Sequence, residues 1–281
     1  MPNPRFHRDR RNFLFRSSAL AMTTLLPDAL VAQGREGSGT QHQPGETAKI
    51  PFNIPDRDTL LKFNPDGSRR AFAGNTVICH LPIQSAMRDA VLALHVDLAN
   101  APYRSWLALT STDSYHMTVF AGANDQDRTR TGWPSYVPPS ASIDVCNRMV
   151  QTRMEKAHLK CELPLRVRLD QTRTLNYPTA CTLRMVPADE IEKTKIRSIR
   201  DQLAELYGFR SSDHDRYEFH ITLSYQLAPF SRADRTAYEE MLKPHLARIS
   251  QAASPLEFGN PEYCTFPDMF RFDLQKLISC S

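Results

Sequence analysis

Two short segments of this 281-residue chain carry residue types at a spacing suited to acid–base chemistry on an anion. Ser114-Tyr115-His116-Met117-Thr118-Val119 and Glu218-Phe219-His220-Ile221-Thr222-Leu223-Ser224 each hold a histidine and a threonine two residues apart. In a strand, residues i and i+2 point to the same face. The first segment thus sorts Ser114, His116 and Thr118 from Tyr115, Met117 and Val119. The second sorts Glu218, His220, Thr222 and Ser224 from Tyr217, Phe219, Ile221, Leu223 and Tyr225. The apolar sets belong against a core, so the polar sets line a surface or a cleft. Histidine titrates near neutrality, and one neutral with one protonated imidazole can take and give a proton in the same reaction. Threonine hydroxyls beside them can donate to the oxygens of a phosphate. With the flanking apolar residues required, roughly 0.1 such match is expected by chance, so a pair of them is informative.

Other signatures are missing. There is no Gly-rich phosphate loop, no GxSxG elbow and no HExxH helix. The six cysteines (79, 146, 161, 181, 264 and 280) form no CxxC pair, and Cys79 and Cys181 sit in apolar runs as core residues. Asp213-His214-Asp215 does not have a metal-ligand spacing and reads as a polar loop. His80 reads as core or rim, and His95 and His158 as helix-surface positions. Tyr115, Trp133, Tyr136 and Phe266 are the rings that could stack a base, and Arg184 could reach a phosphate from its strand. The charges over 193–200 read as a solvated helix face. Neither a metal nor an organic cofactor is expected.

The elements that must position the two segments follow from periodicity. A strand is expected over 76–81, a helix from its cap Ser85 to about Leu98, and strands at 106–109 and 115–120. Residues 121–142 read as an inserted loop, followed by a helix over 143–158 and strands near 163–169 and 180–186. A helix over 188–207 stops at Gly208. A strand is expected over 217–225, and Ser231 caps a last helix to about Ile249. Strands near 256–258, 263–266 and 270–277 close the chain. Each half thus holds strands, a helix and one His-x-Thr strand, an α+β arrangement.

The first 32 residues stand apart. They hold five arginines (5, 8, 10, 11 and 16) and two acids, so most of the chain's net charge of +4 lies there. The remainder, near neutrality, lacks the footprint of a duplex-binding protein. Arg10-Arg11-Asn12-Phe13-Leu14 followed by a weakly apolar stretch resembles a twin-arginine export signal, with cleavage after Ala32. That resemblance implies engagement of the twin-arginine machinery and a periplasmic or secreted protein. Residues 33–75 read as a polar linker and an extended, proline-rich lead-in. No run of 18 or more apolar residues occurs, so no membrane span is expected.

The paired His-x-Thr strands resemble the 2H phosphoesterase superfamily, which includes LigT-like RNA cyclic phosphodiesterases. The resemblance covers residues 76–281. It implies two pseudo-symmetric lobes of antiparallel sheet with helices packed outside and a cleft between the lobes. It also implies metal-independent hydrolysis of a cyclic phosphodiester, on a small nucleotide or a short oligonucleotide end. His116 and His220 would be acid and base, in an order the sequence leaves open, and Thr118 and Thr222 would bind the phosphate. Ser114, Tyr115, Glu218 and Ser224 are candidates to line the cleft. The alternatives are a non-catalytic module binding nucleotides or phosphate in the same cleft, and a structural or interaction protein.

Overall fold

Short polar caps and two-residue alternation divide the chain into strands and helices much as its periodicity predicts. The computed structural model describes residues 59–280; the twin-arginine-like segment and residues 33–58 of the linker lie outside the described residues. In chain order the strands are β1 Gly74–His80, β2 Leu107–Leu109, β3 His116–Asn124, β4 His158–Leu159, β5 Leu165–Leu169, β6 Thr182–Pro187, β7 His220–Thr222, β8 Ser224–Gln226, β9 Leu256–Phe258, β10 Glu262–Asp268, β11 Arg271–Leu277 and β12 Ser279–Cys280. The helices are α1 Thr59–Lys62, α2 Ala86–Asn100, α3 Ile143–Met154, α4 Gln171–Leu175, α5 Glu190–Tyr207 and α6 Arg232–Ala252. Ser85 caps α2, Asp189 caps α5, and Ser231 with Asp234 forms a capping box on α6, each satisfying amides that a helix start leaves unpaired. Gly208, at φ +70°, ends α5 in the left-handed conformation that glycine adopts without penalty.

Eight strands form one curled antiparallel sheet in the order β11-β10-β1-β3-β7-β6-β5-β9. Four strands lie on each side of the β3/β7 junction, which gives the two lobes. The longer helices cover one face: α3 packs on β1, β10 and β11, α5 on β3, β5 and β6, and α6 on α2, α4 and β5. The core between sheet and helices takes Val77 and Cys79 from β1, Met117 and Val119 from β3, Leu183 and Met185 from β6, and Ile221 from β7. The alternate residues of the same strands, including Thr76, His116, Thr118, His220 and Thr222, face the opposite, concave side. Among the described residues no helix is long and apolar enough to cross a membrane.

Three departures from the expected elements bear on the site. The strand expected over 217–225 is broken at Leu223. β7 pairs with β3 and β6, whereas β8 leaves the main sheet and pairs with β2, matching Leu109 with Ser224. β3 runs on to Asn124, into the expected loop, because β1 continues beside it to the pair Gly74↔Asn124. A Cβ on Gly122 would lie 2.4 Å from the backbone and side-chain oxygens of Asn75 and 2.6 Å from the Tyr207 hydroxyl, so this ladder requires glycine there. The third departure is the end of the lead-in. Residues 59–62 form a helical turn, and Phe63 is fully buried in a second apolar cluster with Phe72, Ala108, Phe266 and Met269. Burying a side chain of that size contributes about 1.5–3 kcal/mol.

The chain's last strand is tied down covalently. β12 pairs in parallel with β4, and Cys280 forms a disulfide with Cys161 across a separation of 119 residues. The four other cysteines are buried thiols. His158, expected on a helix surface, is an exposed residue of β4, since α3 stops at Met154.

Candidate active site

β3 and β7 run antiparallel around the single matched pair Met117↔Ile221. That register sets His116 opposite Thr222 and Thr118 opposite His220. Residues directly opposed have Cβ atoms ~4.5–5.5 Å apart and diagonal ones ~7–8 Å. The four side chains therefore make a square with a histidine at two diagonal corners, of a size that admits one phosphate group. Met117 and Ile221, between them, are fully buried on the helix side and hold the strands together from behind.

Each imidazole is held in the same way. His116 Nδ1 donates to the Ser114 carbonyl at 2.6 Å, and His220 Nδ1 donates to the Glu218 carbonyl at 2.7 Å. A carbonyl oxygen only accepts, so the proton sits on Nδ1 in both rings and Nε2 is left for chemistry. The four residues line a cavity of about 290 Å³ together with Phe72, Tyr217, Tyr225, Phe266, Met269 and Phe272. Lys62, from the lead-in, also reaches this cavity and lies 5.0 Å from the Tyr225 ring centre. Aromatic rings thus share the walls with polar side chains, Asn75, Thr76, Thr110 and Asn124 among them, a mixture found in small-molecule sites.

His116 is strongly perturbed. The Phe272 ring centre is 4.2 Å from that of His116, and His80 is its cross-strand neighbour on β1 at 6.2 Å. Burial pushes the His116 imidazole down to about 4. The Ser114 carbonyl and Glu262 oppose that shift, while His80 and His220 add to it. His116 is therefore neutral at pH 7. Glu262 accepts from His80 Nδ1 at 2.6 Å, and this pairing keeps its carboxyl below the usual range although burial pulls the other way.

Thr118 has a further neighbour that period-two reasoning assigns to the core. Tyr217, three residues before β7, turns into the cavity beside Thr118, and burial pushes its hydroxyl up to about 12. Beneath its ring, at 4.1 Å, lies the guanidinium of Arg200. Arg200 is only 1% exposed and donates to the carbonyls of Val119 and His214. This corrects the expectation of a solvated helix face over 193–200. Lys193 and Thr194 are solvated, but the turn at Arg200 faces β3 and props the strand that carries Thr118.

The remaining sequence candidates divide. Ser114 lines the cavity and orients His116 through its carbonyl. Tyr115 does not line it: the side chain is 1% exposed, on the helix side, with its hydroxyl 2.6 Å from His95 Nδ1. That contact also makes His95 half-buried rather than a surface residue. Glu218 lies outside the cavity, paired with Arg173 and Arg184, and Arg184 sits opposite His220 in the β6/β7 ladder. Ser224 lies in a small recess beside Thr222, displaced because its strand has changed partners. Of the rings expected to stack a base only Phe266 lines the cavity; Trp133 is buried in the 121–142 region, donating to Val137, and Tyr136 packs there beside Arg153. His214 is buried, not in a polar loop, with Nε2 3.0 Å from Asp201 and its ring against Phe120. Among the described residues one trio, His80, Glu262 and Cys264, brings possible metal-ligand atoms within 4.8 Å of one another. Its members come from β1 and β10, so no sequence spacing announces it. The Cys264 thiol is pushed well above its ordinary value by burial, which disfavours the thiolate a metal would need.

Comparison with known proteins finds a matching family model and a similar solved fold. Residues 62–177 match the family model described as 2H-phosphodiest, Domain of unknown function (DUF1868). The matched segment contains the first His-x-Thr pair and ends before the second. No curated protein matches the chain. Among solved structures, the chain is similar to a conserved protein of unknown function from Agrobacterium tumefaciens, with 29% sequence identity and a TM-score of 0.72. That likeness covers 80% of this chain and 94% of the other. The match to this model supports an activity of phosphoesterase type at the family level.

Proposed function

We propose that this 2H-phosphodiesterase-type chain hydrolyses a cyclic phosphodiester, on a nucleotide or an oligonucleotide end, by the paired action of His116 and His220. The observation that carries the reading is the square of two histidines and two threonines across β3 and β7, with both imidazoles held through Nδ1. His116, neutral at pH 7, serves as the base: its Nε2 takes a proton from water as the water oxygen bonds to phosphorus. His220, protonated on Nε2 in the reactive state, gives that proton to the leaving ribose oxygen as the P–O bond breaks. The product is a phosphomonoester, and one further proton exchange with solvent restores both rings. Thr118 and Thr222 donate to the non-bridging oxygens, whose charge grows in the transition state. Tyr217 stands beside Thr118, and the aromatic walls take the base or other apolar part of the substrate.

We propose separately that the protein works outside the cytoplasm. A disulfide joining Cys161 to Cys280 suits an oxidising compartment, as does the twin-arginine-like N-terminus. The test is turnover of 2′,3′-cyclic nucleotides and a panel of other phosphodiesters in EDTA, with His116→Ala and His220→Ala alongside. Each substitution is expected to lower turnover by ~10²–10⁴, the range for loss of a general acid or base. Folded protein that binds these compounds without turning any over would assign the cavity to a phosphate-binding module instead.

A further inference from the structure

Beyond Tyr217, where the ends of β5 and β6 meet the start of α5, lies a second, open depression of about 440 Å³. Tyr217 lines both cavities, so the two adjoin. The depression is ringed by Arg168 of β5, Arg173 of α4, Lys193 and Arg197 of α5, and Arg216 just before β7. Three acids share the rim, and each is engaged. Asp189 accepts from the Glu192 amide as the cap of α5, Glu190 pairs with Lys193, and Glu218 pairs with both Arg173 and the buried Arg184. Arg197 donates to the carbonyls of His214 and Tyr217, which fixes its guanidinium without neutralising it. Arg168 and Arg216 are exposed and have no side-chain partner among the described residues.

Six cations, Arg184 included, thus face three carboxylates, in a protein that is nearly neutral beyond its first 32 residues. They converge from separate elements on one depression, and the start of the 18-residue helix α5 adds its positive end. The location is as telling as the charge. Arg184 is the cross-strand partner of His220, and Arg168 stands on the next strand, paired with Val186. Two ladder spacings place the strand of Arg168 ~10 Å from that of His220. A substrate whose reacting phosphate lies in the histidine square therefore reaches the depression with a neighbouring group. Apart from Lys62, aromatic rings and neutral groups surround the square, whereas the ground beyond Tyr217 is cationic.

We propose that this depression is a second anion subsite, with Arg168 and Arg216 binding a further phosphate carried by the same substrate. The inference rests on the phosphodiesterase reading and deepens it: the preferred substrate bears at least one phosphate besides the cyclic one. Full-length protein and its Arg168→Gln/Arg216→Gln variant are compared on a nucleoside 2′,3′-cyclic phosphate with and without a 5′-phosphate. Wild type is expected to show a KM ~10-fold or more lower for the 5′-phosphorylated compound, as suits charge-assisted contacts to phosphate. The variant is expected to lose that preference with kcat unchanged on the compound lacking it. A second arm does not depend on turnover. In a His116→Ala/His220→Ala background, binding of a labelled pentathymidylate is followed by fluorescence anisotropy against salt. Removing both arginines should make the slope of log K against log salt shallower by about 0.7, for the one single-strand phosphate they hold together. A shallower slope without any turnover would retain the subsite and sink only the catalytic reading. An unchanged slope, or a KM indifferent to the 5′-phosphate while turnover proceeds, would overturn the subsite.

Discussion

The depressed titration of His116 sets the acid limb of the reaction. Burial beside Phe272 holds its imidazole down to about 4. At pH 5 an imidazole with the ordinary value of ~6.5 would be ~3% neutral, while one at about 4 is ~90% neutral. At pH 5 the second kind thus leaves about 30-fold more of the base in its neutral, proton-accepting form than the first. The perturbation that tests this is Phe272→Ala, which removes the ring packed on His116 and lets water reach it. The acid limb of kcat/KM should then move from near 4 toward 6.5, and activity at pH 5 should fall by up to ~30-fold with little change at pH 7.5. Stability follows the same linkage. Between about 4 and 6.5 the unfolded chain takes up a proton that folded His116 refuses. Its contribution is therefore complete above 6.5 and is lost as pH falls through that window. The assay is kcat/KM from pH 4 to 8, paired with an NMR titration of the His116 ring identified by its loss in His116→Ala. A wild-type ring titrating near 6.5, or an acid limb that Phe272→Ala leaves in place, would refute the reasoning.

Three further outcomes are expected. Thr118→Val and Thr222→Val should each lower kcat by about 10² while the far-ultraviolet circular dichroism spectrum stays unchanged, since each removes one donor to the developing phosphate charge. Gly122→Ala should destabilise the fold by about 1–3 kcal/mol in urea unfolding, because its methyl group meets Asn75 and the Tyr207 hydroxyl; unaltered stability would mean that the β1/β3 ladder yields there. Replacing Cys161 and Cys280 together by Ser should cost about 2–5 kcal/mol through the 119-residue separation the bond closes. A melting temperature equal to that of the oxidised wild type would count against a structural role for this bond.

Much of the fold is legible in the sequence because it rests on local rules. Ser85, Ser231 and Gly208 mark helix ends through hydrogen bonds and dihedral angles that involve only nearby residues. The His-x-Thr strands are legible because alternation alone puts four polar side chains opposite a buried set. What escapes the sequence is set by distant partners. Ser224 continues the alternation of β7 on paper, but β2 takes over its strand at Leu223. Tyr217 precedes the ladder, so alternation does not govern its direction, and it turns into the cavity. Arg200 looks like one charge among many on α5, and only the position of β3 makes it a buried prop. Phe272 becomes a wall of the site because β11 returns to it from far along the chain, and Tyr225 because β8 changes partners just after β7. The Cys161–Cys280 bond and the cationic depression also join residues that no spacing relates.

The junction of β3 and β7 has a mechanical consequence. The two lobes meet within the sheet at one matched residue pair, while β1 and β3 share a ladder along nearly their whole length. The gap between the histidines is therefore spanned at the narrowest waist of the sheet, and it works like the jaw of a calliper with Met117 and Ile221 as the pivot. Side chains that never touch a substrate set the opening of that jaw. Trimming Ile221 or enlarging Met117 would change which size of phosphodiester fits between the jaws, with every reacting group left in place.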